Sequence, residues 1–250
     1  MQGMCRKVQT QQGIGEDDAM NIAYRITAVP ERLENAKTQA KCIGFDDGII
    51  YLDKDHNGNI WNKFRVYKDI IADGSYSHVC MNDDDLIMPI NFTDAVECLV
   101  HRFPDCIFTF YNSKIGSDTP KIIRLKHHYM NGASCVIPTK YLSGFLDFYE
   151  NNLQGFKWDD TSMSIYALLN DIDVLLPCPK LMDVIIMQST LPMRRGRYQP
   201  CNHGLVYDEL VNIEELSNAS VMDSRKICLN THLAKDNPIA ILCANKLMEE

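Results

Sequence analysis

The fold of this chain is decided by the stretch YSHVCMNDDD, residues 76–85. Its first six residues, 76–81, form a short run dominated by apolar side chains, which is typical of a strand buried in a sheet. The run leads through an asparagine into three consecutive carboxylates, Asp83, Asp84 and Asp85. Ligands of parallel sheets bind beyond the carboxyl ends of the strands, so this junction predicts both an α/β fold and the place of its site.

Strand-like and helix-like segments alternate on both sides of this stretch. Runs rich in β-branched and aromatic residues predict strands, and apolar residues at helical spacing predict helices. The β-α-β-α-β-α-β order predicts a parallel sheet covered by helices on both faces. The predicted strands are 22–29, 49–52, 76–81 and 106–111, and the predicted helices between them are 31–43, 60–71 and 92–103.

The second half of the chain is less regular. Residues 122–125 and 133–137 are predicted to pair with each other as strands. A helix over 139–151 is predicted to be capped by Thr139. The remaining predictions are helices at 161–169, 207–216 and 239–249 and short strands at 174–176 and 184–187.

The composition bounds the class of protein. The chain has 250 residues and a formal net charge of −8, and it has no apolar run near the roughly 18 residues that a membrane span needs. The polar N-terminus and ten cysteines without a C-x-x-C pair favour a cytoplasmic protein with reduced thiols. We expect a flexible lead-in at 1–20, two functional halves at 21–112 and 113–200, and a helical extension at 201–250.

The acidic triplet is the sharpest chemical signal in the sequence. Two aspartates in a D-x-D arrangement at a strand end can hold Mg²⁺ or Mn²⁺ through oxygen atoms, and such a metal bridges the diphosphate of a nucleotide sugar. Asp83 and Asp85 have this spacing, with Asp84 between them. Three adjacent carboxylates repel one another unless a cation is present. The alternative is a solvated acidic loop that precedes a helix.

A second acidic pair, Asp159 and Asp160, follows Trp158 and opens a predicted helix. A carboxylate in this position can cap the helix, because the exposed amides and the helix dipole favour negative charge there. It can also act as a general base that removes the proton from an acceptor hydroxyl. The sequence leaves both roles open.

Two further segments have weaker signals. Asp53 opens DKDHNG, residues 53–58, which is similar to the start of a calcium-binding loop, but Phe64 stands where that loop requires a glutamate. We therefore expect Asp53 to contact a base or a ribose. Arg194 and Arg195 can contact a diphosphate through charge-assisted hydrogen bonds, or they can belong to a solvated basic loop.

Basic and imidazole side chains add two open alternatives. The basic stretch at 121–128 and the arginines within 194–197 keep a small DNA- or RNA-facing groove open as an alternative, despite the acidic net charge. A metal held by the triplet would need further ligands. The histidines that could supply a third one are His127, His128, His203 and His232.

Taken in order, five segments resemble the GT-A glycosyltransferases, especially their small bacterial and phage-type members. The resemblance implies a GT-A (Rossmann-like) α/β fold, with a mostly parallel central sheet flanked by helices. It also implies a nucleotide-sugar-binding half at 21–112 and a smaller acceptor-binding half at 113–200. The segments are ITAVPER (26–32), YLDKDHNG (51–58), HVCMNDDDLIMP (78–89), GASCVIPTKYL (132–142) and WDDTSMSIYA (158–167).

The resemblance implies a role for each candidate residue. Asp160 would be the catalytic base, with Asp159 as the fallback. Asp83 and Asp85 would carry Mn²⁺ or Mg²⁺, Asp85 being the more direct ligand. The residues implied to bind the nucleotide-sugar donor are Val29, Pro30, Arg32, Asp53, Asp83, Asp84, Arg194 and Arg195.

The expected function is a metal-dependent hexosyl- or pentosyltransferase that uses a UDP-sugar. Its acceptor could be hydroxymethylated bases in phage DNA, with the protein in the host cytoplasm if it is phage-encoded, or else a glycan or a protein. One competing hypothesis is a non-catalytic nucleotide-binding module. Another is a nucleotidyltransferase, but AVPERLEN (28–35) lacks the glycine-rich triphosphate loop that such an enzyme would need.

Overall fold

The computed structural model describes residues 20–111, 117, 119–125, 132–153, 159–179, 181–184 and 210–224. Over these residues the chain forms an eight-stranded sheet, a separate two-stranded sheet and six helices. The strands are β1 (Ile22–Ala28), β2 (Ile50–Leu52), β3 (His78–Asp83), β4 (Leu86–Ile87), β5 (Ile107–Thr109), β6 (Lys121–Arg124), β7 (Ser134–Pro138), β8 (Val174–Cys178), β9 (Asp183–Val184) and β10 (Val221–Asp223). The helices are α1 (Leu33–Cys42), α2 (Asn59–Asp73), α3 (Phe92–Arg102), α4 (Leu142–Asn152), α5 (Asp159–Leu169) and α6 (Ile213–Asn218).

The strands of the large sheet lie in the order β10-β6-β8-β5-β7-β3-β1-β2. Four neighbouring pairs are parallel: β1–β2, β1–β3, β5–β8 and β6–β10. The other three pairs, β3–β7, β5–β7 and β6–β8, are antiparallel. The parallel register of β1 and β3 sets Thr27 opposite Asp83. The end of the first strand therefore lies directly beside the acidic triplet.

The sheet is covered by helices on both faces. Successive side chains of a strand point to opposite faces, so each buried strand contributes side chains to two hydrophobic cores, one on each face of the sheet. On one face Ile26, Cys80 and Val136 pack with α1, α3 and α6. On the other face Val79 and Met81 pack with α2, α4 and α5. The predicted α/β class, a mostly parallel sheet flanked by helices, is confirmed.

One predicted pairing was wrong. The strands predicted at 122–125 and 133–137 exist as β6 and β7, but they do not pair with each other. β7 runs antiparallel between β3 and β5, and β6 pairs with β8 and β10. Proximity in sequence suggested a hairpin, but the open hydrogen-bonding edges of β3 and β5 take β7 instead. The antiparallel β7 therefore separates the first three parallel strands from the rest of the sheet.

Two predicted helix starts were also wrong. Thr139 does not cap α4, because it lies in a 3-10 turn and its hydroxyl donates to the carbonyl oxygens of Tyr76 and Ser77 at 2.7 and 3.0 Å. Of the helix predicted over 207–216, residues 207–209 lie outside the described part of the chain, 210–212 are not helical, and α6 begins at Ile213. Asn212 caps it by accepting a hydrogen bond from the Glu215 amide at 3.2 Å.

Several predictions fall partly or wholly outside the described residues. They are the lead-in before residue 20, the helix at 239–249 and the last three residues of the strand predicted at 184–187. The division into functional halves stays a prediction. In the part of the chain that the structure describes, no helix is both long enough and apolar enough to cross a membrane.

Candidate active site

The acidic triplet lies where β1, β3 and β7 meet. The hydroxyl of Thr27 donates to Oδ1 of Asp83 at 3.1 Å, and the Asp83 amide donates to the carbonyl oxygen of Ala133 at 2.7 Å. Beside them, the two-stranded sheet begins at Leu86, immediately after the triplet, and pairs β4 with β9. The triplet is therefore held on three sides by backbone and hydroxyl groups of the sheet.

The three carboxylates are not equivalent. The side chains of Asp83 and Asp85 are 22% and 20% exposed, whereas that of Asp84 is only 7% exposed. Asp84 and Asp85 form the turn between β3 and β4, in which the side chain of Asp84 faces the protein while those of Asp83 and Asp85 stay partly exposed. The exposure therefore distinguishes the two predicted metal ligands from the residue between them.

Asp84 ties the triplet to the turn that follows β1. Its Oδ2 accepts a hydrogen bond from the Val29 amide at 2.9 Å, and its Oδ1 lies 3.0 Å from Nη1 of Arg32. The backbone oxygen of Asp84 also accepts from the side-chain amide of Asn35. Burial raises the pKa of Asp84, although the Val29 amide and the Arg32 charge oppose the rise. Asp84 thus positions the turn in which Pro30 lies.

Arg32 supplies a buried positive charge at this turn. Its Nη1 also lies 2.9 Å from Oδ2 of Asp85, so one guanidinium bridges the second and third aspartates. Burial alone would lower the pKa of Arg32, but the charges of Asp84 and Asp85 raise it. The structure therefore brings Val29, Pro30 and Arg32 together with the triplet, and their predicted contact with the nucleotide stays a prediction.

Lys63 is the second cation of the site, and the sequence analysis did not find it. Its side chain is 1% exposed, and its Nζ lies 2.7 Å from Oδ2 of Asp159 and 3.2 Å from Oδ1 of Asp83. It also donates to the carbonyl oxygen of Gly132 at 2.5 Å. Burial alone would lower the pKa of Lys63, but the charges of Asp159 and Asp83 raise it well above its ordinary value. Lys63 joins the two predicted acidic groups.

The acidic pair at the start of α5 has two different environments. Asp159 is paired with Lys63, as described above. Asp160 is half-buried, and its Oδ1 accepts a hydrogen bond from the Thr161 amide at 2.7 Å. Because this amide belongs to the next residue, the contact holds the carboxylate at the start of the helix. Both predicted roles, helix-end stabilisation and proton acceptance, are compatible with this position.

Burial raises the pKa of two of the carboxyl groups in the site, those of Asp160 and Asp83. It raises the pKa of Asp160 to about 6, with the charge of Asp159 adding to the rise and the Thr161 amide opposing it. It raises the pKa of Asp83 to about 7, against the lowering effect of Lys63. A carboxylate with a pKa near the working pH is suited to accept a proton and release it again.

Gly132 makes the close approach of these groups possible. A Cβ atom at this position would lie 2.8 Å from Oδ2 of Asp159, 3.0 Å from Cβ of Asp160 and 3.3 Å from Nζ of Lys63. The first of these distances is shorter than real Cβ contacts, so a side chain at this position would displace the carboxylate of Asp159 and press on Asp160 and Lys63. A glycine here therefore lets the lysine and the acidic pair meet beside β7 without displacement.

We expect Gly132→Ala to damage both stability and activity. Overpacking a filled site costs about 1–3 kcal/mol, and here the added methyl group pushes directly on Asp159 and Asp160. The Tm of the variant and its rate of donor turnover should both be lower than those of the parent protein. The control is Gly144→Ala, whose Cβ would meet the Tyr166 hydroxyl at 2.5 Å, two turns along α5 from the acids. Equal turnover by the folded forms of both variants would contradict this role for Gly132.

The carboxylate of Asp53 accepts hydrogen bonds from residues of its own loop. Its Oδ1 accepts from the amide and side chain of Asn57 at 3.0 and 3.2 Å, and its Oδ2 accepts from the Gly58 amide at 2.8 Å. Burial alone would raise its pKa, but these hydrogen bonds lower it. The carboxylate shapes the turn that leads into α2. Its predicted contact with a base or ribose stays a prediction.

The remaining predicted groups lie outside the described residues. They are Trp158, Arg194, Arg195, His127, His128, His203 and His232. Among the residues that the structure describes, no group of three or more histidine, cysteine, aspartate or glutamate side chains is placed to hold a metal ion. Within these residues the candidate ligands are thus the two carboxylates of Asp83 and Asp85, since Asp84 pairs with Arg32.

The triplet suits a metal ion that arrives with a diphosphate. Mg²⁺ and similar hard cations are commonly held by one or two carboxylates together with substrate phosphates and water. Asp83 and Asp85 offer two such carboxylates, both partly exposed. The set is too small for an ion held by protein side chains alone. Asp83 also pairs with Lys63 and Asp85 with Arg32, and a metal bound there together with the donor stays a prediction.

A signal for Lys63 and Gly132 was present in the sequence. Lys63 precedes Val66, Tyr67 and Ile70 by three, four and seven positions, so it lies on the buried face of the predicted helix. A lysine on an apolar helix face needs an anionic partner. Gly132 lies two residues before the buried strand β7, and a glycine beside a strand often marks a close approach of another group to the backbone.

Fold and site together define an α/β protein with an acidic, cation-bridged site at the carboxyl edge of β1 and β3. No protein-family model matches the chain, and no curated protein matches it. Solved structures with a similar fold exist at low identity. The mostly parallel sheet flanked by helices agrees with the α/β fold that the sequence predicted, and membership of the GT-A class stays a prediction.

Three of these structures illustrate the similarity. A glycosyltransferase involved in the glycosylation of the major capsid of PBCV-1 is 12% identical with a TM-score of 0.40, over 63% of this chain and 83% of that one. A197 from STIV is 11% identical with a TM-score of 0.42, over 77% and 97%. The inositol-1-phosphate CTP transferase from T. maritima is 11% identical with a TM-score of 0.37, over 65% and 70%.

Proposed function

We propose that this chain is a metal-dependent glycosyltransferase that moves a sugar from a nucleotide-sugar donor, a UDP-sugar, to an acceptor hydroxyl. The observation that carries the proposal is the meeting of two acidic groups at one edge of the sheet. Lys63 contacts Asp83 of the triplet and Asp159 of the second pair. A donor-side metal site and an acceptor-side base would have to lie this close for one transfer reaction.

The donor side would consist of the triplet and the turn after β1. Asp83 and Asp85 would hold Mn²⁺ or Mg²⁺, which when bound stabilises negative charge on the departing nucleoside diphosphate. Val29 and Pro30 would line the nucleotide pocket, because Asp84 fixes their turn beside the triplet. Arg32 neutralises Asp84 and Asp85 and limits their mutual repulsion.

The acceptor side would consist of Asp160 and its surroundings. We propose that Asp160 accepts the proton of the acceptor hydroxyl as the hydroxyl oxygen attacks the anomeric carbon. The new bond joins this oxygen to the sugar. The bond between the sugar and the diphosphate breaks, and its electron pair leaves with the nucleoside diphosphate. A single carboxylate suffices for this step.

The charge of the site favours a glycan or a protein as the acceptor over DNA. Five carboxylates meet only two cations, Lys63 and Arg32, among the described residues of the site. Of the basic stretch at 121–128, Arg124 is paired with Asp173 and Asp223, and three strands separate β6 from β3. A polyanion would have to approach an acidic surface. Hydroxymethylated DNA remains an acceptor to test.

A thermal-shift panel of nucleotide sugars, with and without Mn²⁺, tests the proposal. Ligands that bind only the folded state raise its stability by mass action, so one UDP-sugar should raise Tm when Mn²⁺ is present. Hydrolysis of that sugar then separates an enzyme from a binding module. A shift with nucleoside triphosphates and none with nucleotide sugars would support a nucleotidyltransferase and contradict the proposal.

We expect activity and stability to respond to pH in opposite directions. Protonation of Asp160 removes the base, so kcat should fall as pH drops below about 6. Because the folded pKa lies above the unfolded value, the folded chain binds this proton more tightly, and stability rises as pH falls toward about 4. Initial rates and Tm measured across this range check both directions. In Asp160→Asn, the rise in stability over this range should be smaller.

A further inference from the structure

The buried face of α2 contains one charged residue among its apolar neighbours. The helix packs under the sheet through Val66, Tyr67 and Ile70, which are 3% exposed or less. Lys63 lies one turn earlier on the same face and is 1% exposed. An apolar side chain of similar length would continue the packing without the cost of burying a charge. The position of a lysine here therefore calls for an explanation beyond packing.

The contacts of Lys63 join three separate parts of the fold. An ammonium group has three N–H donors, and Nζ of Lys63 has three oxygen partners within 3.2 Å. They belong to Asp83 at the end of β3, to Gly132 just before β7 and to Asp159 in the first turn of α5. One ammonium thus fixes the distance between the triplet and the acidic pair.

The two aspartates of the acidic pair have different hydrogen-bond partners. Asp159 directs its Oδ2 to Lys63, whereas Asp160 accepts from the Thr161 amide and hydroxyl at 2.7 and 3.3 Å. Gly132 permits this arrangement, because a Cβ there would contact both acids. Anchoring Asp159 therefore fixes the first turn of α5, and with it the position of Asp160 relative to Asp83.

We propose that Lys63 is a positioning residue for sugar transfer, which holds Asp159 and Asp83 together so that Asp160 lies at the right distance from the bound donor. The inference rests on the proposed function and adds to it a residue outside the acidic motifs. It also assigns Asp159 to anchoring and leaves proton transfer to Asp160. Misplacing a reacting group by about 1 Å can cost about 10²-fold in rate.

Lys63→Met tests this role, with Lys68→Met as the matched control on the same helix. Lys68 is 62% exposed and pairs with Glu150 only at 3.7 Å, so its loss should change nothing measurable. We expect Lys63→Met to keep one binding site per chain for UDP and Mn²⁺, measured by titration to saturation. The kcat for hydrolysis of the UDP-sugar selected by thermal shift should fall about 10²-fold.

A double variant separates positioning from folding. Lys63→Met leaves the charge of Asp159, a partly buried side chain that is 17% exposed, without its cation, which can prevent folding. Lys63→Met combined with Asp159→Asn removes that charge and should restore the Tm. The kcat should stay low in the double variant, because no ammonium joins the two acidic groups. Recovery of kcat together with Tm would show that Lys63 has only a structural role and would overturn the inference.

Two other results have clear meanings. A parallel loss of UDP-binding sites and kcat in Lys63→Met, corrected by the double variant, would also overturn the inference. Absence of UDP binding and of turnover in the parent protein would instead reject the proposed function, and the inference would fall with it. The parent measurement thus distinguishes failure of the function from failure of the positioning role.

Discussion

Replacing Asp160 by asparagine is expected to lower the kcat of donor hydrolysis by about 10²- to 10⁴-fold, the range for loss of a general base. Asparagine has nearly the same shape and can still accept a hydrogen bond from the Thr161 amide, so the fold should survive. Binding of UDP and Mn²⁺ should be unchanged, because the triplet is intact. Steady-state rates and calorimetric UDP binding measure the two quantities separately.

Two further variants make the Asp160 result specific. Asp147→Asn, an exposed position on α4, removes the same charge away from the site and should retain full activity. Asp159→Asn keeps an acceptor for Lys63 and should lose much less activity than Asp160→Asn. If Asp159→Asn proved the more damaging of the two, the base would be Asp159, and the roles proposed for the pair would have to be exchanged.

The second large effect is expected from Asp85→Ala. This change removes one of two carboxylates proposed to hold the metal, while Asp84 still pairs with Arg32 at 3.0 Å and keeps the turn after β1 in place. Stabilisation of a leaving diphosphate by a metal is worth several kcal/mol, so kcat/KM should fall at least about 10²-fold. Rates measured over a range of Mn²⁺ concentrations check whether the loss reflects weaker metal binding.

A surface aspartate provides the control for this variant. Asp94→Ala, at an exposed position in the first turn of α3, removes an equal charge and should leave the Mn²⁺ dependence unchanged. Full Mn²⁺-dependent activity in Asp85→Ala would reject Asp85 as a ligand. A loss of folding in Asp85→Ala would show that the carboxylate is needed structurally to hold Arg32, and would count against a role as a ligand.

The first half of the fold could be predicted because its signals are local. The strand that became β3 ends in charged residues, and Gly74 ends the helix before it in a left-handed conformation with φ of 69°. Charged residues after a strand and a glycine after a helix indicate where these elements end. The insertion of β7 between β3 and β5 could not be predicted, because strand order depends on packing between segments that are distant in sequence.

The acidic residues of the site could be predicted from the sequence, but the contacts between them and Lys63 could not. Adjacent aspartates at 83–85 and 159–160 stand out in the sequence, yet nothing local shows that Lys63 joins them. That contact requires α2 to pack beneath β3 and α5 to begin beside it, which only the assembled sheet determines. The inward position of Asp84 could not be predicted either, because Asp84 lies in the turn after β3 and its carboxylate is held by Val29 and Arg32.

A crystal structure of the protein with Mn²⁺ and UDP bound would test the account most directly. We predict manganese between the diphosphate and the carboxylates of Asp83 and Asp85, with oxygen ligands at roughly 2.0–2.2 Å, and the uridine beside Val29 and Pro30. A nucleotide bound elsewhere, with the carboxylates of the triplet in contact with neither metal nor phosphate, would contradict the account.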